Sequence, residues 1–333
     1  MRNRRRPNVV LPYVLSRRAT NLPPATRRLM VPARGALALW ARVDWPRERR
    51  ALRGADVVHG TNFTAPPTGW PTVLSVHDTT PFLRPGDCGR TARSFAPVVR
   101  RLVRHGAWVH ALTEAVAGQL REILRTERVR AVHLGPAPIA LPVPHPLRPA
   151  RPYVLALGTL EPRKNLARLV SAYALAQRSL PELALVLAGS DGTAVREIDA
   201  AIASLPSGAL VVRTGWVDPG GRADLLGHAT VLAYPSLDEG FGLPVLEAMA
   251  QSVPVVAASI PAISETAGGA ALLVDPTDTD GLAQALLVAC RDASLRADLI
   301  RRGSVNVTRF SWRETANGLV ALYREAMAEG RRA

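Results

Sequence analysis

"SLDEGFGLPVLEAMAQSVPVV" occupies Ser236–Val256. It starts where one apolar run ends, "TVLAYPS" (230–236), and leads into another, "PVVAAS" (254–259). Strand, tight turn, helix and strand in that order predict a crossover between parallel strands. Pro244 suits the first helical position, where its missing N–H is an orphan anyway. The N–H groups just before it, with glycines that let the backbone approach closely, make an anion site reinforced by the helix dipole. Glu239 and Glu247 stand eight positions apart around Gly-Phe-Gly. A bare carboxylate repels an anion, so these two must face something else.

Outward from this stretch the second half alternates cleanly. Apolar runs at 153–158, 183–189 and 209–215 join those at 230–236 and 254–259 as expected strands. Helical patterns at 166–178, 194–205, 222–229 and 244–251 separate most of them, and others follow from 281–292 onward. Continuous apolar strands alternating with helices predict a doubly wound parallel sheet. The last helix opens on a capping box, Ser311 to Glu314, and runs to about residue 329.

The first half is a rougher version. Strands are expected at 56–60, 72–78, 108–113 and 129–135, with helices at 91–105 and after Thr113, an N-cap. Before Asp56 the pattern dissolves. The stretch 136–152 holds seven prolines and reads as a stiff linker. The expected organisation is therefore α/β with two Rossmann-like domains. The first is 1–135, of which 1–55 is irregular and basic. The linker 136–152, a second domain 153–310 and a C-terminal helix 311–330 complete it. Ligands of such sheets bind at the carboxyl ends of the strands.

Composition narrows the function. A chain of 333 residues with 47% hydrophobic content suits two soluble domains. No apolar stretch approaches the ~18 residues of a membrane span. Cys88 and Cys290 form no disulfide framework or metal pattern, which points to a reducing cytoplasm. The net charge is +15, and residues 1–53 hold fourteen arginines against Asp44 and Glu48, a balance of +12. Such a segment suits peripheral contact with an anionic membrane face, or is a solvated arm. Nucleic acid is not expected, because no aromatic-interleaved basic motif, helix-turn-helix or zinc finger is present.

Among 42 basic residues Lys164 is the only lysine, and it follows Arg163 in "TLEPRKN", the loop after the strand at 153–158. A compact ammonium on a flexible stem differs from guanidinium in what it can reach. Arg163 and Lys164 can converge on the helix mouth at 244 and neutralise a diphosphate. Carboxylates such as Glu239 and Glu247 accept hydrogen bonds from hydroxyls. A ligand with phosphate in its middle and sugars at both ends fits, which is a nucleotide sugar. "DTD" at 278–280 resembles a metal-binding triplet but reads as a helix cap.

"GTLEPRKN" (158–165) followed by "EGFGLPVLEA" (239–248) resembles glycosyltransferase family 4, retaining mannosyltransferase-like enzymes of the two-Rossmann-domain (GT-B) fold. The resemblance covers about 56–330. It implies that Glu239 contacts the hydroxyls of the transferred sugar, with Gly240, Phe241, Gly242 and Leu243 lending the loop, its glycines and phenylalanine through backbone N–H groups. It also implies Glu247 on the ribose, Lys164 on the diphosphate, and Trp216 and Val217 of "GWV" framing the base. Many members carry a basic residue after the glycine of the first strand. Here Thr159 stands there, and Arg163 covers part of that charge. His77, ending the strand "TVLSVHD", matches a family histidine close to the transferred sugar, and His59 is a second candidate.

The resemblance further implies hexose transfer, mannose from GDP-mannose first, onto a glycan or lipid-linked acceptor in polysaccharide biosynthesis. No metal or other cofactor is expected. Two alternatives stay open: a catalytically weak nucleotide-sugar-binding protein and a nucleotide-sugar epimerase of the same fold. A GT-B first domain opens with a strand, a glycine-rich turn and a helix. None is legible before Asp56, so this unit is expected to be lost or to lie upstream of the given start.

Overall fold

The computed structural model describes residues 9–15, 19–29, 33–45 and 52–330. Of the expected basic arm, 1–53, residues 1–8, 16–18, 30–32 and 46–51 lie outside the described residues. Two compact units divide the chain.

The second unit is residues 111–119 with 131–318. Its sheet is built from β7 (Tyr153–Leu157), β8 (Ala184–Ala188), β9 (Leu210–Gly215), β10 (Val231–Tyr234), β11 (Val255–Ala258) and β12 (Leu272–Val274). The order is β12-β11-β10-β7-β8-β9, all parallel, as the alternating pattern predicts. Both faces are buried, which is why the strands read as unbroken apolar runs. Along β7 the side chains of Tyr153, Leu155 and Leu157 enter one core cluster, and Val154 and Ala156 enter the other.

The crossovers are α5 (Leu166–Gln177), α6 (Val195–Ala203), α7 (Pro219–Gly227), α8 (Leu243–Ala250) and α9 (Pro261–Ala267), followed by α10 (Thr279–Arg291) and α11 (Ala293–Val307). Asp278 caps α10 by accepting from Gly281 N, as expected of "DTD". Helix α7 starts three residues earlier than its apolar pattern suggests, because Asp218 caps it through the Gly221 N–H and Pro219 fits its first turn. In the same way α8 starts at Leu243, one residue before Pro244.

The first unit is residues 1–110, 120–130 and 319–333. It holds β1 (Tyr13–Val14), β2 (Arg27–Arg28), α1 (Ala33–Trp40), β3 (Val58–Gly60), β4 (Thr72–Val76), α2 (Thr80–Leu83), α3 (Phe95–Arg104) and nearly all of β5 (Trp108–Ala111) and β6 (Val129–Ala131), while α4 (Glu114–Leu124) starts in the second unit and ends in the first. The four-stranded sheet has the order β3-β4-β5-β6. The region 1–55 is less irregular than its composition suggests, since β1 pairs in parallel with β2 and Trp40 of α1 is buried. Among the described residues no strand before Val58 joins the four-stranded sheet.

The division does not follow the boundaries 135, 152 and 310. Residues 111–119 and 131–135 group with the second unit. The proline-rich stretch packs on α7 within it, with Val143 N donating to Gly220 O and His145 N to Asp224. The final helix, α12 (Trp312–Gly330), belongs to both units. In the first unit its residues Leu322 and Ala326 pack against Val73 and Trp108. Tyr323 Oη lies 2.7 Å from His59 Nδ1.

Candidate active site

The loops after β7 and β10 meet at the carboxyl edge of the second sheet. Leu237 N donates to Arg163 O at 2.7 Å, and Asn165, in the left-handed conformation, donates from Nδ2 to Pro235 O at 3.1 Å. These bonds bring together side chains that sequence spacing alone keeps 75 positions apart. Lys164 Nζ stands 2.5 Å from Glu239 Oε1 and 2.8 Å from the Tyr234 hydroxyl. It also lies 4.7 Å from the centre of the Tyr234 ring, within cation–π range. Arg163 Nη1 reaches the same Glu239 oxygen at 3.0 Å. Gly158 leaves room for this lysine, because a Cβ there would lie 3.2 Å from Lys164 Cε.

Lys164 and Glu239 are both under 10% exposed. Burial alone pushes the Glu239 carboxyl up. The Lys164 ammonium, the Arg163 guanidinium and hydrogen bonds from Lys164 and Tyr234 outweigh it and hold the group below its ordinary value, so it is ionised. Two cations thus share one buried carboxylate oxygen, and Arg163 has the half-buried Glu161 as a second partner at 3.3 Å. An anion that displaced Glu239 would find both cations already in place.

Gly240, Phe241 and Gly242 form the turn into α8. Gly242 has φ +91°, and a Cβ there would meet Ile263 Cδ1 at 2.5 Å, so only glycine fits. The Phe241 ring is buried, edge-on to Phe310 at 5.7 Å and beside His133. Thr113 Oγ1 donates to Gly240 O at 3.1 Å while accepting Val116 N as the N-cap of α4. In a planar trans peptide the C=O and the next N–H point opposite ways, so this bond fixes the direction of the Phe241 N–H. Glu265 secures the same corner. Its carboxylate accepts from Glu114 N, Ala115 N and His133 Nε2 at 2.9, 3.0 and 2.7 Å. These bonds hold Glu265 below the usual carboxylate range against the opposing effect of burial. Neither Thr113 nor Glu265 is picked out as a site residue by sequence. The capping threonine is legible as a cap, but its bond to Gly240 lies 127 positions away.

Glu247, on α8, is bound by Arg222 of α7, whose Nε lies 2.9 Å from Oε2 and whose Nη2 reaches the same oxygen. Arg222 was expected only as a helix start. The signal available was its position just after Trp216 and Val217. Trp216 is 72% exposed, Val217 packs against the core, and Thr159 is exposed.

His77 belongs to the first unit, at the end of β4, where its Nε2 lies 2.8 Å from Thr61 O and its ring packs edge-on to Phe63. The second candidate, His59, lies in a polar chain within that unit. It faces Tyr323 on one side and Ser75 Oγ at 2.8 Å on the other, and Ser75 in turn faces His110 Nδ1 at 2.8 Å. Burial first, then His110 and His77, lower the His59 pKa to about 4.

Residues 141–305 match the family described as "Glycosyl transferases group 1". O-antigen chain mannosyltransferase B of Escherichia coli is 34% identical over 179 residues, which cover 52% of this chain and 45% of that protein. A D-inositol 3-phosphate glycosyltransferase of Saccharomonospora viridis is 35% identical over 193 residues, covering 54% and 44%. The chain thus spans a little under half the length of these relatives. In fold, a sucrose-phosphate synthase from Thermosynechococcus elongatus superposes with a TM-score of 0.72 over 92% of this chain and 82% of that one, at 23% identity.

Proposed function

We propose that this chain, whose residues 141–305 carry a glycosyl transferase group 1 domain, is a retaining hexosyltransferase of the family 4 type. It takes a nucleotide sugar as donor, GDP-mannose first, and a glycan or lipid-linked hydroxyl as acceptor. The observation that carries the reading is the buried set at the mouth of α8. There Lys164 and Arg163 share Glu239, and Glu247 lies on the first turns of the same helix.

In the proposed reaction the acceptor oxygen bonds to the anomeric carbon as its bond to the diphosphate breaks on the same face. The acceptor proton passes to a phosphate oxygen of the leaving group. Lys164, Arg163 and the N–H groups entering α8 stabilise the charge that develops on that diphosphate. Glu239 turns to the hydroxyls of the sugar, and Glu247 holds the ribose. Trp216 and Val217 border the base, with Thr159 in the loop ahead of Arg163. His77 orients donor sugar or acceptor. No step calls for a metal. The O-antigen chain mannosyltransferase among the relatives supports mannose as the transferred sugar and a glycan as the acceptor.

The proposed location is cytoplasmic, with the basic segment 1–53 touching an anionic membrane face. Among the described residues no helix is long and apolar enough to cross a membrane. Deleting residues 1–6 is expected to weaken vesicle binding at low salt by about 1 kcal/mol per basic residue near the surface.

Thermal shift with GDP-, UDP- and ADP-sugars tests the reading, since a true donor raises the melting temperature by mass action. Turnover of labelled donor separates a transferase from a protein that only binds nucleotide sugars. Release of an epimerised sugar without acceptor would point to an epimerase instead. The anomeric configuration of the product decides retention.

A further inference from the structure

The Arg222–Glu247 pair has an asymmetry that a plain ion pair between neighbouring helices does not need. A guanidinium and a carboxylate can meet through two parallel bonds, one to each oxygen. Here Nε and Nη2 both go to Oε2. Among the described residues Oε1 receives no hydrogen bond, although the Glu247 side chain is only 13% exposed. The arrangement leaves one oxygen, with two lone pairs, for a donor from outside the chain.

Arg222 is also held where it is. Helix α7 is fixed at its start by Asp218, which accepts Gly221 N through its side chain and Arg222 N through its carbonyl. One turn later Asp224, 3% exposed, accepts from His145 N and pairs with Arg148 Nε, both at 2.9 Å. Leu225 and Leu226 are fully buried in the core. The guanidinium therefore projects from a rigid turn that follows the loop of Trp216 and Val217.

We infer that Arg222 is a positioning residue that holds Glu247 by Oε2 and presents Oε1 to the ribose hydroxyls of the donor, so that the site selects ribonucleoside diphosphates over their deoxy forms. This rests on the nucleotide-sugar reading above and adds the sugar of the nucleotide as a point of selection. With the guanidinium absent, the carboxylate is free to rotate about χ3 and the hydroxyls lose a fixed acceptor. A purely structural tie between α7 and α8 has a different signature. Its loss lowers stability and weakens every ligand alike.

The test is calorimetric titration of the full chain with GDP, UDP and ADP, then with the 2′,3′-dideoxy form of whichever binds. Wild type is expected to bind the dideoxy form about tenfold more weakly, the usual size of a lost hydrogen bond to a charged group. Arg222→Ala and Arg222→Gln are each expected to weaken the ribonucleotide by about tenfold and leave the dideoxy form nearly unchanged, so the discrimination collapses. Two variants, checked by melting temperature, guard against one that fails to fold. If either folded variant keeps the wild-type ratio, Arg222 does not act through the ribose and the inference fails. If wild type binds both forms equally, Glu247 does not read the ribose; the inference fails and the nucleotide-sugar reading stands. If no nucleoside diphosphate binds wild type, that reading falls and takes the inference with it.

Discussion

Lys164 and Glu239 are each other's buried counter-charge: the ammonium lies 2.5 Å from Oε1, and both residues are under 10% exposed. The two groups proposed to hold different parts of one donor are held by each other when it is absent. On the proposed reading, donor binding is an exchange of partners, phosphate for carboxylate on the lysine and sugar hydroxyl for ammonium on the glutamate.

Breaking this pair from one side has a cost in stability as well as in affinity. Lys164→Met is expected to lose donor binding and to destabilise the protein by about 3 kcal/mol, at the low end for a broken buried pair because Arg163 and Tyr234 remain on Glu239. Adding Glu239→Gln removes the stranded charge and should recover part of that loss. Urea midpoints of the two singles and the double give the coupling. Additive effects would mean the ion pair does not matter in solution.

Glu239→Gln keeps the volume and removes the charge. It is expected to bind nucleoside diphosphate about as well as wild type while transfer falls by a hundredfold or so, the scale of one lost charged contact in a transition state. Glu247→Ala is expected to weaken the nucleoside diphosphate itself. Equal losses for both variants across nucleoside diphosphate and nucleotide sugar would contradict this division of labour.

Thr113→Val deletes one hydroxyl and leaves the Gly240 carbonyl buried without its donor. The expected cost is about 1–3 kcal/mol in stability. A rise in donor KM should accompany it, because the Phe241 N–H is no longer aimed. Thr113→Ser retains the hydroxyl and is expected to restore both. A valine variant that loses stability with unchanged KM would confine Thr113 to a structural role.

His59 sets a pH dependence whose sign follows from its depressed pKa. Between about 4 and 6.5 the unfolded chain protonates this histidine and the folded chain does not, so stability falls as pH drops through that window. The full loss is about 3 kcal/mol, reached below pH 4. His59→Asn removes the titrating group and should flatten urea midpoints measured between pH 7 and pH 4.5. An unchanged slope would assign the acid sensitivity elsewhere.

The parts of the fold legible in sequence are those where one physical signal dominates. Strand β7 was expected at 153–158 and runs Tyr153–Leu157, because burial on both faces demands an unbroken apolar run. Strand β12 and helix α9 went unread, being three and seven residues long and too short to show a period. The joint placement of Lys164, Arg163 and Glu239 was legible through a local motif on two loops of one sheet edge. The Arg222–Glu247 pair was not, since a half-exposed arginine on a helix usually faces only water. The bond from Thr113 to Gly240 escaped for another reason. A capping threonine satisfies a local rule completely, and nothing in its neighbourhood announces a second, distant acceptor. The capping box at Ser311 announced α12, yet no periodicity could say which surfaces that helix covers.

The double allegiance of α12 has a consequence for how the chain comes into being. Synthesis delivers β3, β4 and β5 early, with Val73, Trp108 and the His59–Ser75–His110 chain on the face that Leu322, Tyr323 and Ala326 cover. Leading domains commonly complete themselves while the remainder is still being translated. This one cannot, because its closing residues are encoded behind the entire second sheet. The face of the first unit that carries Val73, Trp108 and His59 therefore stays uncovered until residues 322–326 have been synthesised.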